Sequence, residues 1–186
     1  MAAVAPIHRL KGRTLGLVGF GNIPRALAPK AKAFGLRVLA YDPFVARDVF
    51  ASLGVEGVSL DELLASSDFI SVHAPLTPQT RGLIGASAFA KMKPNALVIN
   101  TARGPLIDEK ALIAALDSGR IGGAALDVLE TEPPPKDSAL IGRPNVVLTP
   151  HTAFYSVEAL EELQTKCATD VLRVLSGRPP VYPAPG

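Results

Sequence analysis

The stretch Leu15-Gly-Leu-Val-Gly-Phe-Gly-Asn-Ile-Pro24 passes from a short apolar run through two glycines into a helical pattern over Ile23–Phe34. A strand, a glycine turn and a helix in that order open a parallel α/β unit. Gly19 permits the tight turn, and Gly21 lets a pyrophosphate approach the backbone where the helix N-terminus supplies amide donors. The dinucleotide fingerprint expects a third glycine, and Pro24 stands there. Proline is tolerated in a first helical turn because its missing N–H has no partner to lose. Pro29 lies deeper in the same pattern, and a kink or an irregular first turn is expected.

Working outward, short apolar strands are predicted at Leu15–Val18, Arg37–Tyr41, Phe69–His73, Ala96–Asn100, Gly123–Leu126 and Val146–Leu148. They are continuous in apolar residues, as strands covered on both faces are. Helical patterns fall between them at Asp61–Ala65 and Asp108–Ser118, with Asp108 as N-cap and Gly119 as terminator. The alternation predicts a Rossmann-type, doubly wound parallel sheet in three α/β/α layers, because right-handed crossovers place helices on both faces. Asp42 ends the second strand, 21 residues after Gly21. A carboxylate there accepts hydrogen bonds from adenosine ribose hydroxyls and repels a 2′-phosphate, so NAD is expected over NADP.

The 186 residues fit one domain with a sizeable core. A net charge of +2 without a basic block argues against nucleic acid. No apolar run is long enough to span a membrane. The first six residues lack a signal-peptide pattern, and Cys167 is the only cysteine. A cytoplasmic protein without disulfides is therefore expected. No set of metal ligands stands out.

A long helix is predicted over Ser156–Ser176, with an apolar stripe of Leu160, Leu163, Cys167, Val171 and Val174. Cys167 is expected to be a small core residue. The tail from Arg178 to Gly186 is proline-rich, and an extended, partly disordered segment is expected.

Three ionisable residues stand in conspicuous segments: Arg103 in Asn100-Thr-Ala-Arg-Gly104, Glu132 in Glu130-Thr-Glu-Pro133, and His151 in Thr149-Pro-His151. A cation, a carboxylate and an imidazole suit hydride transfer to a carbonyl acid. With Leu15–Gly21, Tyr41-Asp-Pro43, Val72-His-Ala-Pro-Leu-Thr77 with Thr80, and Ala125-Leu-Asp-Val128, they form an ordered set of blocks from about residue 8 to 176. In that order the blocks resemble the NAD-binding domain of the D-isomer-specific 2-hydroxyacid dehydrogenases.

The resemblance implies roles. His151 would be the general acid/base, Glu132 its carboxylate partner, and Arg103 the anchor of the substrate carboxylate. Gly19, Gly21, Asn22 and Ile23 would face the pyrophosphate, and Asp42 with Pro43 the adenosine ribose. His73, Ala74, Pro75 and Thr80 would wall the pocket. Thr101 and Ala102 would line the nicotinamide ribose side, Asp127 would bind the carboxamide, and Arg103, His151 and Ala153 would also touch the cofactor.

The resemblance also implies a homodimer. The expected domains are 8–153 for the cofactor, 154–177 for the helix and 178–186 for the tail. Only thirteen residues precede Thr14. The chain is accordingly expected to be a truncated cofactor domain that binds NAD and turns over poorly, its C-terminal helix lacking part of its packing surface. One alternative is a dinucleotide-sensing module, because His151-Thr-Ala-Phe-Tyr-Ser156 is similar to the C-terminal-binding corepressors. Another is a dead remnant, against which the intact Arg103, Glu132 and His151 argue.

Overall fold

A computed structural model describes residues 8–183. The N-terminal reading of residues 1–6 and the last three residues of the tail lie outside the described residues. The chain forms two compact units that divide between Pro150 and His151.

The first unit is a seven-stranded sheet in the order β3-β2-β1-β4-β5-β6-β7, parallel at every pairing. Its strands are β1 (Thr14–Val18), β2 (Arg37–Tyr41), β3 (Glu56–Gly57), β4 (Phe69–Val72), β5 (Leu97–Asn100), β6 (Gly123–Leu126) and β7 (Val146–Leu148). The helices are α1 (Asn22–Ala33), α2 (Arg47–Ser52), α3 (Leu60–Ser66), α4 (Ala86–Lys91) and α5 (Glu109–Asp117). The doubly wound parallel sheet expected from the sequence is the observed fold. The order reverses direction between β1 and β4, which opens a crevice at their carboxyl ends.

Strand alternation divides the core in two. Leu15, Leu17, Val38 and Ala40 join Phe20, Ala28, Ala31 and Phe50 on one face. Val18, Leu39, Ile70, Val72 and Val98 join Leu63, Phe89 and Leu112 on the other. Gly16 faces the second cluster, where a β-carbon would stand 2.3 Å from Ser67 Oγ and 2.6 Å from Leu63 Cδ2. The missing side chain lets α3 lie directly on the central strand.

Helix ends follow local chemistry. Ser59 Oγ accepts from Glu62 N–H at 3.2 Å to start α3. Asp108 Oδ1 accepts from Ala111 N–H at 3.0 Å to start α5, and Gly119 follows α5 at φ 66°. The irregular first turn expected in α1 is not found. Arg25 N–H reaches Gly21 C=O at 3.2 Å, and the helix continues through Pro29. Pro24 is buried in its first turn and Pro29 is exposed. The short elements α2, β3 and α4 had no sequence expectation, since two to six residues carry too little periodicity.

The second unit contains α6 (Val157–Leu175), capped by Ser156 Oγ accepting from Ala159 N–H at 3.0 Å. No residue of α6 is buried, and Cys167 is exposed, which corrects the expected core role. The tail of the same unit is tied along this helix. Val181 and Tyr182 N–H groups both donate to the Asp170 carboxylate at 2.8 Å. Arg173 Nε donates to Pro179 C=O at 2.9 Å, and Lys166 Nζ lies 5.8 Å from the Tyr182 ring centroid. Residues 178–183 are thus tied to the helix, where an extended and partly disordered tail was expected. No helix among the described residues is long and apolar enough to cross a membrane.

Candidate active site

The carboxyl ends of the parallel strands place the predicted residues of the first unit along one edge of the sheet. After β1, Gly19 takes φ 94°, a left-handed conformation that favours glycine. A β-carbon there would also lie 2.8 Å from Ala74 N and His73 C. The turn therefore presses against the residues that follow β4. A β-carbon on Gly21 would meet nothing within 4 Å. The protein itself leaves this space open, so packing does not require a glycine there.

Asp42 organises the neighbouring turn. Its Oδ2 accepts from Phe20 N–H at 2.8 Å and its Oδ1 from Phe44 N–H at 2.9 Å. One carboxylate thus joins the glycine turn to the end of β2, while two oxygens keep lone pairs for further donors. Beside it lies a cavity of about 350 Å³, lined by Gly19, Asp42, Pro43, Phe44, Pro75 and Thr80 among others. A largely apolar hollow with a carboxylate at its rim suits an adenosine group. Open space at Gly21, amides at the start of α1 and this hollow all fit an NAD molecule along the edge.

Thr80 shapes the hollow by anchoring its loop. Its Oγ1 donates to Pro75 C=O at 2.6 Å and accepts from Thr77 N–H at 2.8 Å. His73 Nε2 lies 2.9 Å from Ser71 Oγ. Burial pushes the His73 imidazole down to about 4, so it is neutral at neutral pH. His73 is not among the residues that line the hollow, whereas the expected Ala74, Pro75 and Thr80 are.

After β5, Asn100 folds its own loop. Its side chain donates to Arg103 C=O at 2.9 Å and accepts from Ala102 N–H at 3.0 Å. This holds Thr101, Ala102 and Arg103 in a turn that leaves Arg103 exposed. Asp127, at the end of β6, is buried. Its Oδ1 accepts from Thr149 Oγ1 at 2.5 Å, which links the ends of β6 and β7.

The Arg103 and Glu132 loops meet at Gly104. A β-carbon on Gly104 would stand 1.9 Å from Leu129 O and 2.6 Å from Glu130 N. Glu132 Oε1 accepts from Leu129 N–H at 2.9 Å, which turns the carboxylate back over its own loop. Glu130 has a different task. Its Oε1 accepts from Glu109 N–H at 3.0 Å, at the start of α5. The two neighbouring glutamates thus bond to different parts of the chain.

In the second unit, His151 is exposed and has φ 54°. A histidine at positive φ is uncommon, and such backbone strain concentrates at functional sites. Its ring meets Phe154 edge to face at 6.4 Å between centroids. Tyr155 N–H closes a turn on Thr152 C=O at 2.9 Å, just before the α6 cap. Ala153 lies within that turn.

Asn100, Gly104, Phe44, Thr77 and the Glu109–Glu130 pair were missed by the sequence reading. Asn100 and Gly104 flank Arg103 in a quoted segment, so position could have flagged them. The glutamate pair spans two elements and gives no local signal.

Known proteins of similar sequence and fold point to one family. The model of the D-isomer specific 2-hydroxyacid dehydrogenase NAD binding domain matches residues 2–153. The chain is 47% identical over 169 residues to D-3-phosphoglycerate dehydrogenase of Methanocaldococcus jannaschii, covering 90% of this chain and 32% of that protein. It is 46% identical over 169 residues to glyoxylate reductase of Korarchaeum cryptofilum, covering 91% and 51%. Among solved structures, holo D-mandelate dehydrogenase of Rhodotorula graminis superposes with a TM-score of 0.89 at 39% identity, covering 96% and 53%. D-lactate dehydrogenase of Lactobacillus jensenii with NAD+ gives 0.86 at 32% identity, covering 96% and 57%. The chain thus spans between about a third and somewhat over half of the length of these relatives.

Proposed function

The chain belongs to the D-isomer-specific 2-hydroxyacid dehydrogenase family through its NAD-binding domain, and we propose that it carries the cofactor side of a site interconverting D-2-hydroxy acids and 2-oxo acids. The packing of the Arg103 loop on the Glu132 loop at Gly104 carries this reading. It sets a cation and a carboxylate on adjoining loops at the sheet edge that also offers the dinucleotide cradle.

When bound, NAD(H) supplies the hydride acceptor or donor. The chain's own residues do the rest. Asp42 accepts from the adenosine ribose hydroxyls and disfavours a 2′-phosphate. Arg103 binds the substrate carboxylate through a charge-assisted pair and polarises the adjoining carbonyl. His151 gives a proton to the carbonyl oxygen in reduction and removes the hydroxyl proton in oxidation. Glu132 is the carboxylate partner that orients the His151 ring. Asp127 accepts from the carboxamide, and Thr101, Ala102 and Ala153 border it.

Arg103, Glu132 and His151 are all exposed in this 186-residue chain. Positioning and water exclusion supply much of an enzyme's acceleration. The chain alone therefore binds NAD(H) and turns over slowly. Single-turnover oxidation of bound NADH with glyoxylate, pyruvate or hydroxypyruvate tests this. A trace rate is expected, and His151→Asn should lower it by roughly 10²- to 10⁴-fold. An unchanged rate in His151→Asn would contradict the acid/base role. A module that only senses dinucleotides would bind NADH and show no His151-dependent rate. A homodimer is the proposed state, and sedimentation at a single monomer mass would exclude it.

A further inference from the structure

Glu109 and Glu130 each accept the other's backbone N–H. Glu130 Oε1 takes Glu109 N–H at 3.0 Å, and Glu109 Oε1 takes Glu130 N–H at 2.5 Å. Glu109 is the first residue of α5, where backbone donors lack helical partners and the dipole favours a carboxylate. Glu130 therefore caps the helix from a different loop, and Glu109 returns the bond.

The Leu129–Glu130 peptide stands at the centre of this exchange. Gly104 lies against it with no room for a β-carbon. Glu109 holds its N–H. The preceding amide, Leu129 N–H, donates to Glu132 Oε1 at 2.9 Å. Exposed loops with single anchors sample several arrangements, and a catalytic carboxylate displaced by about 1 Å loses much of its effect. Three contacts converge here on two consecutive amides.

We propose that the reciprocal Glu109–Glu130 clasp, closed on Gly104, positions the Glu132 carboxylate for its imidazole partner. Glu109 and Glu130 are positioning residues that act through the Leu129–Glu130 peptide and touch neither substrate nor cofactor. The inference rests on the proposed pairing of Glu132 with His151. It makes α5, through its first residue, part of the machinery that sets the acid/base.

The test reads the single-turnover rate of bound NADH with glyoxylate, and NADH affinity beside it, in the 186-residue chain for wild type, Glu132→Gln, Glu109→Ala and Glu109→Gln. Glu132→Gln should lower the rate roughly tenfold or more with NADH affinity unchanged. Glu109→Ala should reproduce much of that loss, again with NADH affinity unchanged. Glu109→Gln should restore the wild-type rate, because an amide oxygen accepts the same N–H. A loss in Glu132→Gln but none in Glu109→Ala overturns the clasp and leaves the Glu132 role intact. Equal losses in Glu109→Ala and Glu109→Gln overturn it too, since they report lost charge instead of lost position. An unchanged rate in Glu132→Gln defeats the Glu132 role itself. Should Glu109→Ala unfold the chain, Glu130→Ala opens the clasp from the loop side and is held to the same outcomes.

Discussion

The sheet unit and the C-terminal unit carry apolar patterns of similar regularity, yet only the first buries its pattern. Leu17, Leu39, Leu63, Ile70 and Val98 are wholly buried in the first unit. In the second, Leu163, Val171, Leu172, Val174 and Leu175 are all more than half exposed. Periodicity therefore states which residues share a face and leaves open what covers that face. In the sheet unit the covering is made by crossover helices that the same chain supplies. In the C-terminal unit a short proline-rich segment anchored on Asp170 lies along α6.

The largest expected effect exploits that contrast. Leu63→Ala removes a buried side chain packed beside Gly16 and should destabilise the chain by about 2–5 kcal/mol. Leu172→Ala on α6 should stay within roughly 0.5 kcal/mol. Equilibrium denaturation in urea compares the two, and equal losses would erase the distinction between the units.

His73 sharpens the comparison through pH. Its folded value of about 4 lies below its ordinary 6.5. Between those values the unfolded chain binds a proton that the folded chain refuses, so stability falls as pH drops from 6.5 toward 4. The whole effect is on the order of 3 kcal/mol. Denaturation midpoints across that window should flatten in His73→Asn, and an unaltered slope would count against a buried, neutral His73.

Gly19→Ala comes next. The left-handed φ and the collision with the His73–Ala74 backbone should cost roughly 1–3 kcal/mol. NADH affinity should fall with it, because the turn that cradles the pyrophosphate must shift. Thermal unfolding with and without NADH measures both, and a variant of wild-type stability would show that the turn is looser than described.

The smallest effect belongs to the tail. Its two amides hold the Asp170 carboxyl below its ordinary 3.8. Docking is therefore intact above that value and is lost as pH falls through the depressed folded value. Asp170→Ala should remove exchange protection at Val181 and Tyr182 while leaving the sheet amides unchanged. Protection that survives the substitution would mean the prolines hold the tail without Asp170.

These contrasts also explain what could be read in advance. The six longer strands and the longer helices were legible, because continuous apolar runs and capping residues such as Asp108 are local signals. The edge strand β3 and helices α2 and α4 were not, being too short to show a period. Asp42 could be singled out by its spacing from the glycine turn, but its two bonds to Phe20 and Phe44 N–H required the fold. The Arg103 and Glu132 segments were visible separately, whereas their contact at Gly104 depends on a strand order that no segment encodes by itself. Cys167 went wrong for the reason that separates the two units: a helical stripe was taken to imply a core.

Calorimetric titration of the 186-residue chain with NADH and NADPH, on wild type and Asp42→Ala, tests the central claim most directly. The account predicts saturable NADH binding, NADPH binding at least tenfold weaker, and loss of that preference in Asp42→Ala. Equal affinity for NADH and NADPH in the wild type, or no NADH binding at all, would contradict it.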